Sequence, residues 1–325
     1  MDNKNQIIYN LITIGITSYN AAKTIDKAIN SALNQTWINK EIIVIDDNSE
    51  DESWDIIKNY KKVKNIRIFK NSQNKGVAYS RNFLIKKAKG KFIIFFDDDD
   101  TSEVNRLYYQ YLNLRIYKSF HKVDAPVFCY CKTIKKFENN GYIIFDPPGS
   151  NISKNIVKGK KVAEYLLTGN HKKKYLGTYA TCSLMAEKKD FIFCDGFDES
   201  FKRIEDTEFA LRGGLKGAHF IGVDKILVFQ NMTFKKNKGF HEDLKYTLMM
   251  INKHKYLFKS MKKYKFSILW TKFKYEILQK NIYNSFFIFL KLCKLNLPYL
   301  IRNIFLSRIT FRNNLFLLKN YKRNI

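Results

Sequence analysis

Within the first hundred residues, four apolar runs of strand length, residues 11–16, 41–45, 66–69 and 92–96, alternate with stretches of helical periodicity. After the first run, Ile25, Ala28, Ile29 and Ala32 recur on one face of a helix spanning residues 22–33. The second run leads into a helix over 52–60 and the third into one over 76–88. Strands and helices that alternate in this way imply a mostly parallel sheet covered by helices on both faces. Ligands of such sheets bind beyond the carboxyl ends of the strands.

Polar clusters fall at those ends. Thr17, Ser18, Tyr19 and Asn20 follow the first run, Asp46, Asp47, Asn48 and Ser49 the second, and Asp97, Asp98, Asp99 and Asp100 the fourth. Four consecutive carboxylates repel one another in a partly dehydrated site and call for a positive partner. Mg²⁺ or Mn²⁺ suits oxygen ligands, and Mg²⁺ takes one or two carboxylates together with water and substrate phosphates. That combination points to a nucleotide diphosphate. An acidic run also favours the start of a helix, and the other two clusters on the same edge weigh against that plainer reading. Gly76 and Arg81, near the start of the third helix, fit a site where backbone amides and a guanidinium face phosphate or base.

Taken in order, Thr17 to Asn20, Ser31 to Thr36, Glu41 to Ser49, Asn74 to Asn82 and Phe96 to Asp100 resemble the motifs of the family 2 glycosyltransferases over roughly residues 10 to 230. The resemblance implies an α/β GT-A fold, a nucleotide-sugar donor of UDP or GDP type, a divalent metal (Mn²⁺ or Mg²⁺) and inverting displacement at the anomeric carbon. It implies a donor pocket of Thr17, Tyr19, Asn20, Asp47, Gly76, Arg81, Asp97 and Asp98, with Asp47 as acceptor for a base N–H and Asp97 toward the ribose. Asp99 is the favoured metal ligand and Asp100 the other, because two overlapping Asp-x-Asp readings exist. Farther on, Gly196-Phe197-Asp198 followed by Glu205-Asp206 resembles the family segment that supplies the base, which makes Asp206 the catalytic residue and Glu205 its support. Adjacent acids at a helix N-terminus suit proton abstraction from an acceptor hydroxyl. Weaker candidates implied by the resemblance are His241, for completing the metal shell, and the loop at residues 235–239, for closing over the donor. Processive synthases of this broad family carry Gln-x-x-Arg-Trp after the base; Trp270 lacks that context, so transfer of single sugars to a growing glycan or glycolipid is expected.

Length and charge set the remaining limits. The 325 residues divide into a catalytic domain, 1–240 (about 10–115 for the donor, about 116–240 for acceptor and base), and a tail, 241–325. The net charge is +28, and from residue 255 onward 16 Lys or Arg face a single acid, Glu276. In the tail, Phe266, Leu269, Trp270, Phe273 and Ile277 recur as one helical face, Phe286, Leu290 and Cys293 continue the pattern, and Pro298 interrupts it. A basic amphipathic helix of this kind either lies on an anionic membrane surface or packs on the catalytic domain. No nucleic-acid-binding motif accompanies the charge, and the acidic strand ends would repel a phosphate backbone. The five cysteines have no metal-ligand spacing and the N-terminus no signal-peptide pattern. A cytoplasmic protein, peripheral at the inner face of the membrane, is expected. Two rival classes are a non-catalytic sugar-nucleotide or membrane-binding module on the same fold and an NAD-dependent enzyme or nucleotidyltransferase. No Gly-x-Gly-x-x-Gly follows the first strand to support the NAD reading.

Overall fold

A computed structural model describes residues 10–137, 141–150, 156–168, 177–231 and 239–322, with side chains up to Phe305. The first half follows the alternating pattern: β1 (Ile12–Ser18), α1 (Ile25–Leu33), β2 (Lys40–Asp46), α2 (Ser53–Lys58), β3 (Ile66–Lys70), α3 (Val77–Lys87) and β4 (Phe92–Asp97). These four strands pair in parallel in the order β3-β2-β1-β4. Their apolar runs are unbroken because both faces are covered. Ile42 and Val44 of β2 and Phe92, Ile94 and Phe96 of β4 point into one core with Ile25 and Ile29 of α1. Ile43, Ile45, Ile93 and Phe95 point into the opposite core with Ala78, Leu84 and Ile85 of α3. Gly15 in β1 permits the close approach of α3, since a Cβ there would overlap the Leu84 side chain.

The second half turns the sheet mixed. It comprises β5 (Asp100–Ser102), α4 (Arg106–His121), β6 (Val127–Lys136), β7 (Tyr142–Phe145), β8 (Val157–Lys158), α5 (Lys160–Thr168), β9 (Met185–Glu187), α6 (Lys188–Phe193), α7 (Glu205–Leu215) and β10 (His219–Asn231). The sheet runs β3-β2-β1-β4-β9-β6-β10-β5, with β9 antiparallel to β4 and β5 antiparallel to β10. The chain leaves β4 at Asp97, turns through Asp98 and Asp99, and re-enters the sheet at Asp100. The four aspartates thus straddle a turn between two strands and do not open a helix.

Three helices follow: α8 (Phe240–Lys253), α9 (Met261–Leu278) and α10 (Ile282–Lys322). The division expected at residue 240 falls at the start of α8, yet Tyr246, Met250 and Ile251 of α8 share a core with Ala163, Leu167, Phe201 and Leu211. A separate core holds α9 and α10 together through Phe266, Trp270, Leu292 and Leu300. Ser260 caps α9 by accepting a hydrogen bond from the Lys263 N–H. Within α10, Asn296 has non-helical angles and its Oδ1 accepts from Tyr299 N at 3.1 Å. It therefore acts as a fresh N-cap just before Pro298, whose missing N–H is tolerated in a first helical turn. No helix among the described residues is long and apolar enough to cross a membrane.

Candidate active site

Register places the polar clusters side by side. Ser18 of β1 lies opposite Asp46 of β2, and Thr17 lies between Ile45 and Asp97. The loops beyond are laced together by side chains accepting from backbone N–H groups. Ser49 Oγ accepts from Asn20 N at 3.0 Å, Asn20 Oδ1 from Glu50 N at 2.9 Å, and Asp98 Oδ2 from Tyr19 N at 3.0 Å. Asn20 and Asn48 hold left-handed backbone angles, which asparagine tolerates in tight turns. Tyr19 remains exposed at this edge.

Asp47 is buried and fixes the start of α3. Its Oδ1 accepts from Asn71 Nδ2 (2.6 Å) and Lys75 N (3.0 Å), and its Oδ2 from Gly76 N (2.7 Å). The anion held by the Gly76 amide is thus the protein's own carboxylate, and three protein donors occupy most of the roughly four acceptor positions of Asp47. Gly76 has φ +90, a conformation that costs other residues strain. Arg81 bridges the donor edge and the first turn of α7. Its guanidinium donates to Glu205 Oε1 at 2.6 Å and lies 3.4 Å from Asp97 Oδ1, stacked over Phe95 and Phe197. Two carboxylates claim a buried cation that the sequence alone would direct to phosphate.

At the acidic turn, Asp97, Asp98 and Asp99 are half-buried and Asp100 is buried. Desolvation, with Asp97 and Asp99 close by, pushes the Asp100 carboxyl up to about 8. Desolvation also raises Asp97, against the pull of Arg81. Ligand atoms of Asp97, Asp100 and Cys182 lie within 4.8 Å of one another. Gln230 Nε2 donates to Asp100 Oδ2 at 3.2 Å. Burial pushes the Cys182 thiol well above its ordinary range, and the hard donors of the group are the carboxylate oxygens of Asp97 and Asp100. This set, short of positive charge and rich in hard oxygens, fits a divalent cation. Below it lies Arg106, fully buried, its guanidinium 4.7 Å from the Phe96 ring and hydrogen-bonded to Phe95 O, Ser102 Oγ and Gln110 Oε1.

Across the Arg81 bridge stands the first turn of α7. Ile204, immediately before it, is left-handed at φ +56, a strained conformation for a β-branched residue. Asp206 Oδ1 accepts from Thr207 N at 2.6 Å and from Thr207 Oγ1 at 3.2 Å. Desolvation and the adjacent Glu205 push the Asp206 carboxyl up to about 7, although Arg81 pulls it down. The other acids of this region are committed elsewhere. Glu208, fully buried, accepts from Arg212 Nε (2.7 Å) and Lys253 Nζ (2.6 Å), with His254 Nε2 at 3.4 Å, and its carboxyl lies below the ordinary range despite desolvation. Asp198 pairs with Lys253 and Ser200, which together overcome desolvation and hold it at about 2. Arg212 reaches on to the carbonyls of Cys194 and Gly196. These ion pairs lock α7, the Gly-Phe-Asp turn and the end of α8 together.

Sequence reasoning missed Asn71, Arg106, Cys182, Gln230 and the Glu208 network. His241 lies on α8 beside Tyr275 of α9, and most of the 235–239 loop lies outside the described residues.

Residues 13–118 match the family described as Glycosyl transferase family 2. The UDP-Glc:alpha-D-GlcNAc-diphosphoundecaprenol beta-1,3-glucosyltransferase WfaP of Escherichia coli is 40% identical over 124 residues, 34% of this chain and 48% of that protein. WfgD of Escherichia coli, which has the same description, is 39% identical over 97 residues, 30% of this chain and 38% of that protein. The chain therefore spans less than half the length of these curated relatives. The crystal structure of S. aureus TarS 1-349 in complex with UDP-GlcNAc superposes with a TM-score of 0.54 at 17% identity, covering 82% of this chain and 72% of that one. At that identity the likeness is one of fold, and the fold is the expected GT-A arrangement with helices appended at the C-terminus.

Proposed function

We propose that this chain, whose residues 13–118 match glycosyl transferase family 2, is a member of that family and moves single sugars from a UDP- or GDP-type donor to a growing surface glycan or glycolipid, with inversion at the anomeric carbon. The observation that carries this reading is the Arg81 bridge, one buried guanidinium shared by Asp97 of the donor edge and Glu205 beside the base. It couples a cation-seeking carboxylate cluster to a carboxyl poised near neutrality. The name of WfaP gives UDP-Glc as its donor and alpha-D-GlcNAc-diphosphoundecaprenol as its acceptor; a lipid-linked acceptor suits the basic helices here.

In this reading Thr17, Tyr19, Asn20, Asp47 and Gly76 shape the base pocket and Asp97 and Asp98 the ribose side. Asp99 and Asp100 would hold Mn²⁺ or Mg²⁺, with Asp97 the alternative partner of Asp100 because their ligand atoms lie within 4.8 Å of each other; the ion would supply the positive charge that neutralises the diphosphate leaving group. The acceptor oxygen forms a bond to the anomeric carbon as the carbon–oxygen bond to the diphosphate breaks, and the acceptor proton passes to Asp206. Thr207 fixes Oδ1, so Oδ2 takes the proton. An acid raised to about 7 is matched to this task at neutral pH, because a base works best when its pKa lies near the operating pH. Glu205 raises Asp206 through its charge, and Arg81 pairs with Glu205 at 2.6 Å. The four buried cysteines suit a reducing compartment, and we place the enzyme at the cytoplasmic face of an anionic membrane.

Thermal unfolding with a panel of nucleotide sugars tests the reading. One nucleotide class should stabilise the protein by about 2.7 kcal/mol at a hundredfold excess over Kd, with Mn²⁺ present and not in EDTA. Stabilisation by no UDP or GDP donor would count against it.

A further inference from the structure

The structure reassigns the faces of the tail. Phe266 and Trp270, the start of the apolar face read from the sequence, are buried in the core between α9 and α10. On α10 the inward residues are Ile288, Phe289, Leu292, Leu295, Tyr299 and Leu300. The opposite side is apolar as well. Before the kink, Tyr283, Phe286, Phe287 and Leu290 recur at steps of one and three on one helical face; after it, Leu297 and Ile301, four apart, share a face, and all six are 41–83% exposed. Lys291, Lys294 and Arg302 are exposed on the same helix, and no Asp or Glu occurs after Glu276.

We propose that this outward stripe of α10 lies in the plane of an anionic lipid bilayer, its aromatic and aliphatic side chains embedded at the headgroup boundary and its lysines and arginine reaching back to lipid phosphates. Charge selects this occupant over a second copy of the chain. Two copies joined through α10 would bring Lys291, Lys294 and Arg302 of each against the other with no acid of that helix to neutralise them, whereas an anionic surface complements all three. An in-plane helix of this composition binds through buried apolar area and electrostatic attraction together, and long basic side chains snorkel from an apolar stripe to phosphate. The basic tail is thereby more than an electrostatic adhesive, because the stripe sets which side of the molecule faces lipid. The inference rests on the membrane part of the proposed function and is independent of sugar transfer.

Flotation of the full chain with vesicles of phosphatidylcholine, with and without phosphatidylglycerol, tests it at about 0.1 M salt, where the Debye length is roughly 10 Å. The wild type floats with the anionic vesicles. Combining Leu290→Asp with Ile301→Asp lowers the partition coefficient by roughly tenfold or more while leaving the Mn²⁺-dependent donor stabilisation in place, which separates failure of this inference from failure of the transferase reading. As a second readout, Phe287→Trp gains an emission component that blue-shifts on vesicles and is quenched by brominated lipid; Trp37, Trp54 and Trp270 are off this face. Wild-type partitioning by the double variant, an added emission in Phe287→Trp that neither shifts nor is quenched, or no flotation of the wild type would overturn the proposal. So would light scattering showing a wild-type dimer that the double substitution dissociates while vesicle binding stays unchanged.

Discussion

At the donor edge, like charges are gathered where water is scarce; in α9 and α10, like charges are spread where water is plentiful. The carboxylates of Asp97, Asp100 and Glu205 are close to buried guanidiniums of Arg81 and Arg106, yet Asp97 and Asp100 are still driven toward protonation. The cations of the terminal helices have Glu276 as the one acid from residue 255 onward and are largely exposed. The difference teaches that charge in a dehydrated site must be balanced within the fold or by a ligand, whereas charge on a solvated helix is free to await a surface.

The buried network around Glu208 should break hardest. Glu208→Ala leaves Lys253 and Arg212 without their shared carboxylate, and removing one partner of such a buried set costs about 3–5 kcal/mol. Chemical denaturation should show that loss together with weakened donor stabilisation, because α7 carries Glu205. A next cut, Leu292→Ala, removes a fully buried side chain from the α9–α10 core at about 2–5 kcal/mol. If the two cores are as separate as their packing, Mn²⁺-dependent donor stabilisation survives this change; its disappearance would join the helices to the catalytic unit.

A third effect depends on pH. The folded pKa of Asp206, about 7, lies above the unfolded value near 3.8, so the folded state holds the proton more tightly and stability falls as pH rises through that window. Asp206→Asn removes this ionisation. Its melting temperature relative to wild type should climb between about pH 4 and pH 7 and level off above; a pH-independent difference would mean that Asp206 titrates normally. Smallest is the effect of single tail cations: Lys291→Gln or Lys294→Gln should weaken binding to anionic vesicles roughly fivefold each, less at high salt, with no change in donor stabilisation. Equal loss on neutral vesicles would show that packing, and not charge, had been disturbed.

The donor half was legible in the sequence because its signals are local. Period and polar punctuation locate β1 to β4 to within about two residues, and the carboxylates line up because parallel strands end together. What stayed hidden depends on distance along the chain. Arg81 and Glu205 are 124 positions apart and Gln230 and Asp100 are 130 apart, and nothing local tells that Arg81 will face protein carboxylates. Arg106 reads as an ordinary helical arginine until Phe96 and Phe95 O enclose it. In α10 the period of Phe286 and Leu290 was visible, but the helix is apolar on both sides, so periodicity could not say which side α9 would cover. Glu205-Asp206 was singled out through family resemblance alone; its local pattern is that of any acidic helix start.

The central claim is that Asp206 takes the acceptor proton at a donor site built on Asp97 to Asp100. The most direct measurement compares wild type with Asp206→Asn in steady-state transfer, with donor affinity titrated separately in Mn²⁺. The amide preserves shape and cannot accept the proton, so kcat should fall by roughly two to four orders of magnitude while donor Kd changes little. Near wild-type kcat in Asp206→Asn would contradict the account, and since Asp198 and Glu208 are both held in ion pairs with Lys253, it would leave the reaction without a base among the acids of this region.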